Sequence, residues 1–579
     1  MNTTARMLGA GLTAVTAAAA LCGTATASPR AASSRAAVGD TRTVQLIGFN
    51  DFHGHLEATD PPLAEDPAKT PVGGVEYLSS TIKRLRADAG GDRKSLTLSA
   101  GDNIGGSTFL SGMFQDEPTI EALNAIGVDA SAIGNHELDE GLTELQRMQD
   151  GGCQASGCFF PDQPYEGAHF PYLAANIYDK KTGKRPFPGS AIKVANGVKV
   201  GIIGITLRET RTLVSPAGVK SVNFRDEVAS ANNQVDQLRA RGVNTIVVLL
   251  HQGGATTGGI EDCTDLQDER FREMVGGFRH EIDMVISGHT HNSYVCSVPD
   301  PQGAPRLVTS AGDWGRLVTD ARLVVDTATG DVIREASTAH NVLVTRTDAD
   351  PLMTQLLQKW QTLAGPIAGR VVGTVAEDTT GDSSGDRGIE TPMADTVADA
   401  ILDATDGADG GAQIAFMNVG GVRASLLRDQ ISNGEQPGEI TYAEAYKVLP
   451  FGNLLVSMDM TGAQIKQALE QQYQPVAERG SRPMLALGVS KGFRYTWDAT
   501  QPQGSRVVEG SMTLGGQPIQ MDQTYRVGTL NFLQQGGDMF TAFKSGTNVL
   551  GGQEDLAAFV NYLQANPGLT APEDRVNGL

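Results

Sequence analysis

Two periodicities alternate through the first half of the chain. Short, nearly continuous apolar runs read as strands buried on both faces: "TVQLIGF" (43–49), "SLTLSA" (95–100), "VKVGIIGI" (198–205), "TIVVLL" (245–250) and "IDMVIS" (282–287). Between them, "VEYLSSTIKRLRADA" (75–89), "TIEALNAIG" (119–127) and "ASANNQVDQLRARG" (229–242) place apolar residues at helical spacing. This alternation predicts an α/β architecture. Near residue 345 the pattern changes. "DPLMTQLLQKWQTLAGPIAGRV" (350–371) predicts a linker helix at 351–364, with the glycines of "AGPIAG" as a hinge before a new strand. The second half opens with the Gly/Asp-rich stretch "EDTTGDSSGDRG" and continues with mixed strands and helices. The expected organisation is a domain over 42–345, a linker helix and hinge over 346–368, and a second α/β (α+β) domain over 369–579. A length of 579 residues, too much for one ordinary core, agrees with that division.

The first residues change the picture of where the protein works. Arg6 precedes an apolar, alanine-rich run from Met7 to Leu21, and Ala25-Thr26-Ala27 offers a cleavage site. Residues 1–27 are therefore expected to be a signal peptide, 28–41 a flexible leader, and the mature protein secreted. Cys22 stands in a poor context for lipid attachment, and no later stretch is apolar enough to span a bilayer. Four cysteines remain in the mature chain, Cys153, Cys158, Cys263 and Cys296. An even number in an exported chain points to two disulfides, most economically Cys153–Cys158 and Cys263–Cys296, with a four-thiolate zinc site as the competing arrangement. The formal net charge of -21 argues against nucleic acid and anionic membranes as partners. A small phosphorylated ligand stays compatible, provided metals or local arginines reverse the field.

Candidate chemistry sits where the strands stop. "LIGFNDFHGH" delivers Asp51 and His53, "TLSAGDN" Asp102, "ASAIGNHELD" Asn135, His136 and Asp139, "TIVVLLH" His251, and "IDMVISGHTH" His289 and His291. Side chains just past the carboxyl ends of strands in an open α/β sheet converge on one crevice. Imidazole, carboxylate and amide oxygen together suit zinc, manganese, iron or cobalt and are too rich in nitrogen for calcium. One Asp can bridge two ions through its two oxygens, so the set fits a two-metal centre.

The order Asp-x-His, Gly-Asp, Gly-Asn-His-Glu, His, Gly-His-x-His resembles the calcineurin-like metallophosphatases, and "FNDFHGHLE" with the C-terminal half resembles their secreted 5'-nucleotidase branch. The resemblance implies an α-β-β-α metallophosphatase sandwich joined by the linker helix to a substrate-binding domain. It implies Asp51, His53, Asp102 and His291 on one ion, and Asp102, Asn135, His251 and His289 on the other. His136 and Asp139 would form a catalytic dyad on the helix that "NHELD" opens. The ions would be zinc or manganese, with cobalt, iron or magnesium also compatible. His55, His169, His280 and His340 match no motif position and read as structural.

The second half must then choose the ester. "AFMNVGGVRAS" places Asn418 and Arg423 around a glycine pair, "VLPFGN" offers Phe451 on a bent loop, and "LNFLQQGGDMF" offers Phe532 and Asp538. Two rings can sandwich a base while a carboxylate accepts from ribose hydroxyls. These residues, with Arg387, match the nucleotide-binding set of the resembled family. Val419 stands where that family has glycine, and is expected to disturb the loop. Ala394-Asp395 replaces Gly-Asn, and Asp395 is expected to add negative charge near an anion site. The expected activity is hydrolysis of a nucleotide's phosphate ester to nucleoside and phosphate, by in-line attack of metal-activated water. Alternatives are a UDP-sugar hydrolase, a 2',3'-cyclic-nucleotide phosphodiesterase with 3'-nucleotidase activity, a sulfur-ester hydrolase, or a non-catalytic nucleotide-binding protein.

Overall fold

The computed structural model describes residues 40–579, apart from 65, 155–156, 161, 215, 257, 264–265, 267, 382–385, 408–410, 433 and 481. The expected signal peptide lies outside the described residues, as does all but the end of the leader. Thr41, the last residue of the expected leader, already belongs to the first strand.

Two six-stranded sheets face each other in the first domain. One runs, in spatial order, Thr338–Leu343, Leu317–Asp326, Thr41–Phe49, Ser95–Ser99, Ala130–Ala132 and Tyr172–Leu173. The other runs Ser293–Pro299, Pro305–Ala311, Met284–Ser287, Thr245–His251, Val198–Thr206 and Ser190–Ala195. Their inner strands pair in parallel, which brings several carboxyl ends to one edge of each sheet. Alternate residues of Thr41–Phe49 serve two cores. Val44 and Leu46 meet Ile202, Leu249 and Ile286 between the sheets, whereas Ile47 and Phe49 join the helix-covered cluster with Leu78, Ile82 and Leu123. Gly48 permits the close approach, since a methyl there would stand 3.1 Å from Ile286. Helices Glu227–Arg239 and Glu269–Gly277 cover the second sheet's outer face. The result is a helix–sheet–sheet–helix sandwich. Cys153–Cys158 and Cys263–Cys296 are both disulfide-bonded.

The expected linker helix differs in two ways. It runs from Pro351 to Ala368, straight through Gly365 and Pro366, so most of the hinge stretch is helical. It is also part of the first domain's packing. Met353, Leu357 and Trp360 enter that domain's core, and the Trp360 indole donates to Glu121 at 2.8 Å. The Asp350 carboxylate caps it and also receives Lys83. Gly369 is the glycine left between this helix and the strand Val371–Thr374.

The second domain is built on a five-stranded sheet in the order Leu487–Val489, Ile414–Asn418, Thr524–Leu530, Leu454–Thr461 and Thr547–Glu554. Helices Pro392–Thr405 and Asp555–Ala565 fill one core. Helix Gly462–Glu470 and the strand Phe493–Thr496 belong to another, around Phe416 and Phe493. Two capping boxes, Thr441 with Glu444 and Thr461 with Gln464, fix where helices begin. No helix among the described residues is long and apolar enough to cross a membrane.

Candidate metal centre and substrate cavity

Each first-domain residue singled out above stands at a strand's carboxyl end. Asp51 and His53 follow Thr41–Phe49, Asp102 follows Ser95–Ser99, Asn135 follows Ala130–Ala132, His251 closes Thr245–His251, and His289 and His291 follow Met284–Ser287. They converge. His53 Nε2 lies 3.2 Å from His291 Nε2, and His291 Nε2 lies 3.5 Å from Asp51. Asp102 Oδ2 stands 3.0 Å from His251 Nε2 and 3.8 Å from His53 Nε2, so it is shared by both sides. Asn135 Oδ1 is 3.1 Å from His251 Nε2 and 2.9 Å from His289 Nδ1. Three overlapping groups able to hold an ion adjoin here: Asp51, His53 and His291; His53, Asp102 and His136; and Asp102, His251 and His289. Ligands about 2.1 Å from an ion stand about 3.0–3.4 Å from one another in octahedral or tetrahedral geometry, which these separations approach.

Backbone conformation follows the same purpose. Asp51, His53, Asp102, His289 and His291 all have positive φ, between 48° and 74°. Such strain is concentrated where surrounding structure enforces it. Space is equally tight: a methyl on Gly134 would stand 2.2 Å from Asp102 Oδ1, and one on Gly288 2.7 Å from Asp51 Oδ2.

The hydrogen bonds around the rings decide which nitrogen is free. His53 Nδ1 donates to the Gly105 carbonyl at 2.7 Å, and His251 Nδ1 to the Ala100 carbonyl at 2.9 Å. His291 Nδ1 faces Asp313 at 3.1 Å. A carbonyl can only accept, so Nε2 of His53 and His251 carries a lone pair turned inward. Burial pushes the His53 and His289 imidazoles far below their ordinary value, which keeps them neutral as ligands must be. Burial also opposes a charge on His251, but Asp102 outweighs it and lifts that ring to about 9. The carboxylate calls for positive charge at that nitrogen. These donors fit a pair of divalent ions.

His136 and Asp139 stand beside the centre, in a short 3-10 turn (His136–Leu138) rather than the expected α-helix. His136 Nδ1 meets Asp139 Oδ2 at 2.8 Å, and the His136 amide donates to Asp102 Oδ1. Burial works against a charged ring, yet Asp139 and Asp102 raise its pKa above the ordinary value. Glu137, within the same "NHELD" stretch, has no task that the motif alone reveals. Its buried carboxylate accepts the amides of Asp102, Asn103 and Gly134 at 2.7–2.8 Å, tying two ligand loops together. Asp313 behind His291 was also missed, because it lies on a loop with no motif of its own.

The second domain faces this centre across a cavity of about 420 Å³. Arg387, Asn418, Arg423, Phe451, Phe532 and Asp538 all line it, together with Asp102, Asn135, His289 and His291. Asn418 Nδ2 donates to Asp538 at 3.0 Å, while its Oδ1 is buried with no partner among the described residues. Phe451 lies nearly parallel to the His136 ring at 5.9 Å, with the Arg423 guanidinium 5.7 Å from its face. Arg479, absent from the sequence reading, lines the cavity and donates to the Asp538 carbonyl at 2.8 Å. It helps hold Asp538 at its strained φ of 51°.

Two expectations for this domain are corrected. Val419 does not crowd the ligand loop: it is fully buried in the core below, and Gly420 is the residue beside Arg387. Asp395 does not face the cavity. It accepts the Val489 amide at 2.8 Å inside the domain, beside Arg575, because that face of the helix turns inward. Of the histidines read as structural, His55 meets Asp60 and stacks on Trp314, and His169, His280 and His340 each pair with an acid.

A sandwich whose strand ends gather carboxylates and imidazoles into two adjoining clusters has the construction of a metallophosphoesterase domain. Comparison with known proteins agrees. Residues 45–293 match the family described as calcineurin-like phosphoesterase, and residues 371–545 match the 5'-nucleotidase C-terminal domain. The cell wall protein Lmo0130 of Listeria monocytogenes is 31% identical over 551 residues, covering 91% of this chain and 68% of that protein. The endonuclease YhcR of Bacillus subtilis is 30% identical over 532 residues, covering 90% of this chain, which spans only 40% of that longer protein. The crystal structure of a 5'-nucleotidase precursor from Thermus thermophilus superposes with a TM-score of 0.72 at 28% identity, covering 93% of this chain and 99% of the other. The chain belongs to the 5'-nucleotidase family of calcineurin-like metallophosphoesterases, whose chemistry depends on divalent metal ions.

Proposed function

We propose that this chain is an exported, two-metal phosphohydrolase that cleaves the phosphate ester of nucleotides to give nucleoside and phosphate. The observation that carries the reading is the single cavity shared by ion-holding residues of one domain and nucleotide-reading residues of the other. Asp51, His53 and His291 would hold one ion, Asn135, His251 and His289 the other, with Asp102 between them. The donor set favours zinc or manganese. When bound, such a pair acidifies water and neutralises phosphate oxygens.

The chain's own residues do the rest. His136, kept charged by Asp139, donates a hydrogen bond to a phosphoryl or leaving oxygen as charge develops there. Arg387 and Arg423 grip the phosphate with planar, forked donors. Asp538 and the free Asn418 Oδ1 accept from ribose hydroxyls, and Phe451 and Phe532 bracket the base. Export is supported by the N-terminal pattern and by two disulfides, which persist in oxidising compartments. The test is phosphate release by purified mature protein, supplied with manganese or zinc, from AMP, UMP, UDP-glucose and a 2',3'-cyclic nucleotide. Release from AMP or UMP is expected. Turnover of UDP-glucose or the cyclic nucleotide alone would shift the substrate, and no release from any would overturn the reading.

A further inference from the structure

Five arginines line the substrate cavity, and they are not equivalent; Arg270 is paired with Glu209. Arg479 is occupied, donating to the carbonyls of Gln471, Gln472 and Asp538. Arg387 and Arg423 share one place. The Arg387 side chain lies 3.4 Å from where a Gly420 methyl would stand, and Arg423 reaches the Gly420 carbonyl at 3.4 Å. That pair suits one phosphate. Arg482 comes from a different segment, between the turn Val476–Arg479 and the strand Leu487–Val489. No described residue accepts a hydrogen bond from its guanidinium, so its forked donors are uncommitted on the cavity wall.

Arg482 feels carboxylates of both domains. The enclosing walls push its guanidinium below the ordinary value, and Asp538 and Asp51 oppose that. Burial also lowers Arg387, whose opposing carboxylate is Asp538 alone, and Arg482 and Arg423 repel it. Like charges held this close favour an anion between them. The cavity thus offers three anchors for negative oxygens: the metal centre, the Arg387/Arg423 pair, and Arg482, which repels Arg387 more strongly than Arg423 does. A nucleoside monophosphate has one phosphate, which the first two anchors already share.

We propose that Arg482 is a specificity-determining residue that binds a second phosphate, giving the site a preference for nucleotides with two linked phosphates over monophosphates. This rests on the nucleotide-hydrolase reading above and names the substrates that reading would favour. A bidentate guanidinium recognises phosphate oxygens by shape as well as charge, so lysine should replace it only in part.

The experiment compares the metal-loaded wild type with Arg482→Ala and Arg482→Lys on AMP and ADP. The ratio of kcat/KM for ADP to that for AMP is expected to fall about tenfold in Arg482→Ala and less in Arg482→Lys. An unchanged ratio would overturn the proposal, because a merely structural role would lower both substrates alike. Calorimetric binding of inorganic pyrophosphate and of phosphate to the same proteins separates this outcome from failure of the catalytic reading. Even if no nucleotide is hydrolysed, Arg482→Ala should lower the affinity for pyrophosphate relative to phosphate by a similar factor. Equal losses for both anions would again count against Arg482.

Discussion

At the scale of single residues, the site separates those that would touch an ion from those that hold them in place. His136 belongs to neither group. Its ring is fixed by Asp139 and its backbone amide donates to Asp102, although the ring also stands within 4.8 Å of ligand atoms of Asp102 and His53. Phe451 stacks beside it at 5.9 Å, and the ligand candidate His53 meets it edge-on at 5.0 Å. Replacing it by alanine should lower kcat by about 10²–10⁴-fold, in the range for a lost proton donor, while metal content measured by atomic emission stays at the wild-type level. Metal lost along with activity would make His136 a ligand instead. Asp313 makes the opposite prediction. It orients the His291 ring from behind, so Asp313→Ala should weaken metal binding by about 10–100-fold, as other outer partners of metal-bound histidines do. Titration of the metal-free variant with zinc would measure it, and unchanged affinity would remove Asp313 from this role.

At the scale of elements, the helix Pro351–Ala368 illustrates how packing redefines a segment that looks like a connection. Its indole at Trp360 is buried against Phe114 and hydrogen-bonded to Glu121. Truncation to alanine should cost about 3–5 kcal/mol of first-domain stability, read from denaturant unfolding. A cost under about 1 kcal/mol would return the helix to the status of a free linker. A second element-level prediction concerns the strand Met284–Ser287. Asp283, just before it, is buried and accepts the Ile246 amide of the neighbouring strand at 2.9 Å. Burial pushes its pKa up to about 7, against the lowering pull of that amide and Arg334. A carboxyl whose folded pKa is raised adds stability that is whole below its unfolded value of about 3.9 and is lost as pH climbs through about 7. Asp283→Asn keeps an acceptor and removes the titration. Its denaturation midpoint should therefore rise relative to wild type as pH increases across that window, whereas a constant difference would refute the assignment.

At the scale of the whole molecule, what the sequence made legible was local. A buried strand ending in Asp, Asn or His declares its tip within a few residues, so the seven ligand-type positions and the layered fold could be read in order. The pairings Cys153–Cys158 and Cys263–Cys296 were readable because few cysteines compete. Other features depend on geometry that no short window contains. Glu137 serves an amide of its own loop and others up to 35 residues earlier, Asp313 and Arg479 act through backbone or ring contacts across the fold, and Asp395 turns inward because of how its helix packs. The helix was expected to stop at 364 because glycine and proline are read as breakers, while tertiary contacts carried it on to Ala368.

The central claim is that one shared carboxylate, Asp102, joins two cation positions at the meeting edge of the two sheets. Metal stoichiometry of the purified protein after zinc or manganese loading, set beside that of Asp102→Asn, tests it most directly. About two ions per chain are expected for the wild type, with both weakened together in the variant because a neutral amide oxygen cannot bridge two cations as a carboxylate does. A wild type that binds no ion, or a variant that keeps both with undiminished affinity, would contradict the account.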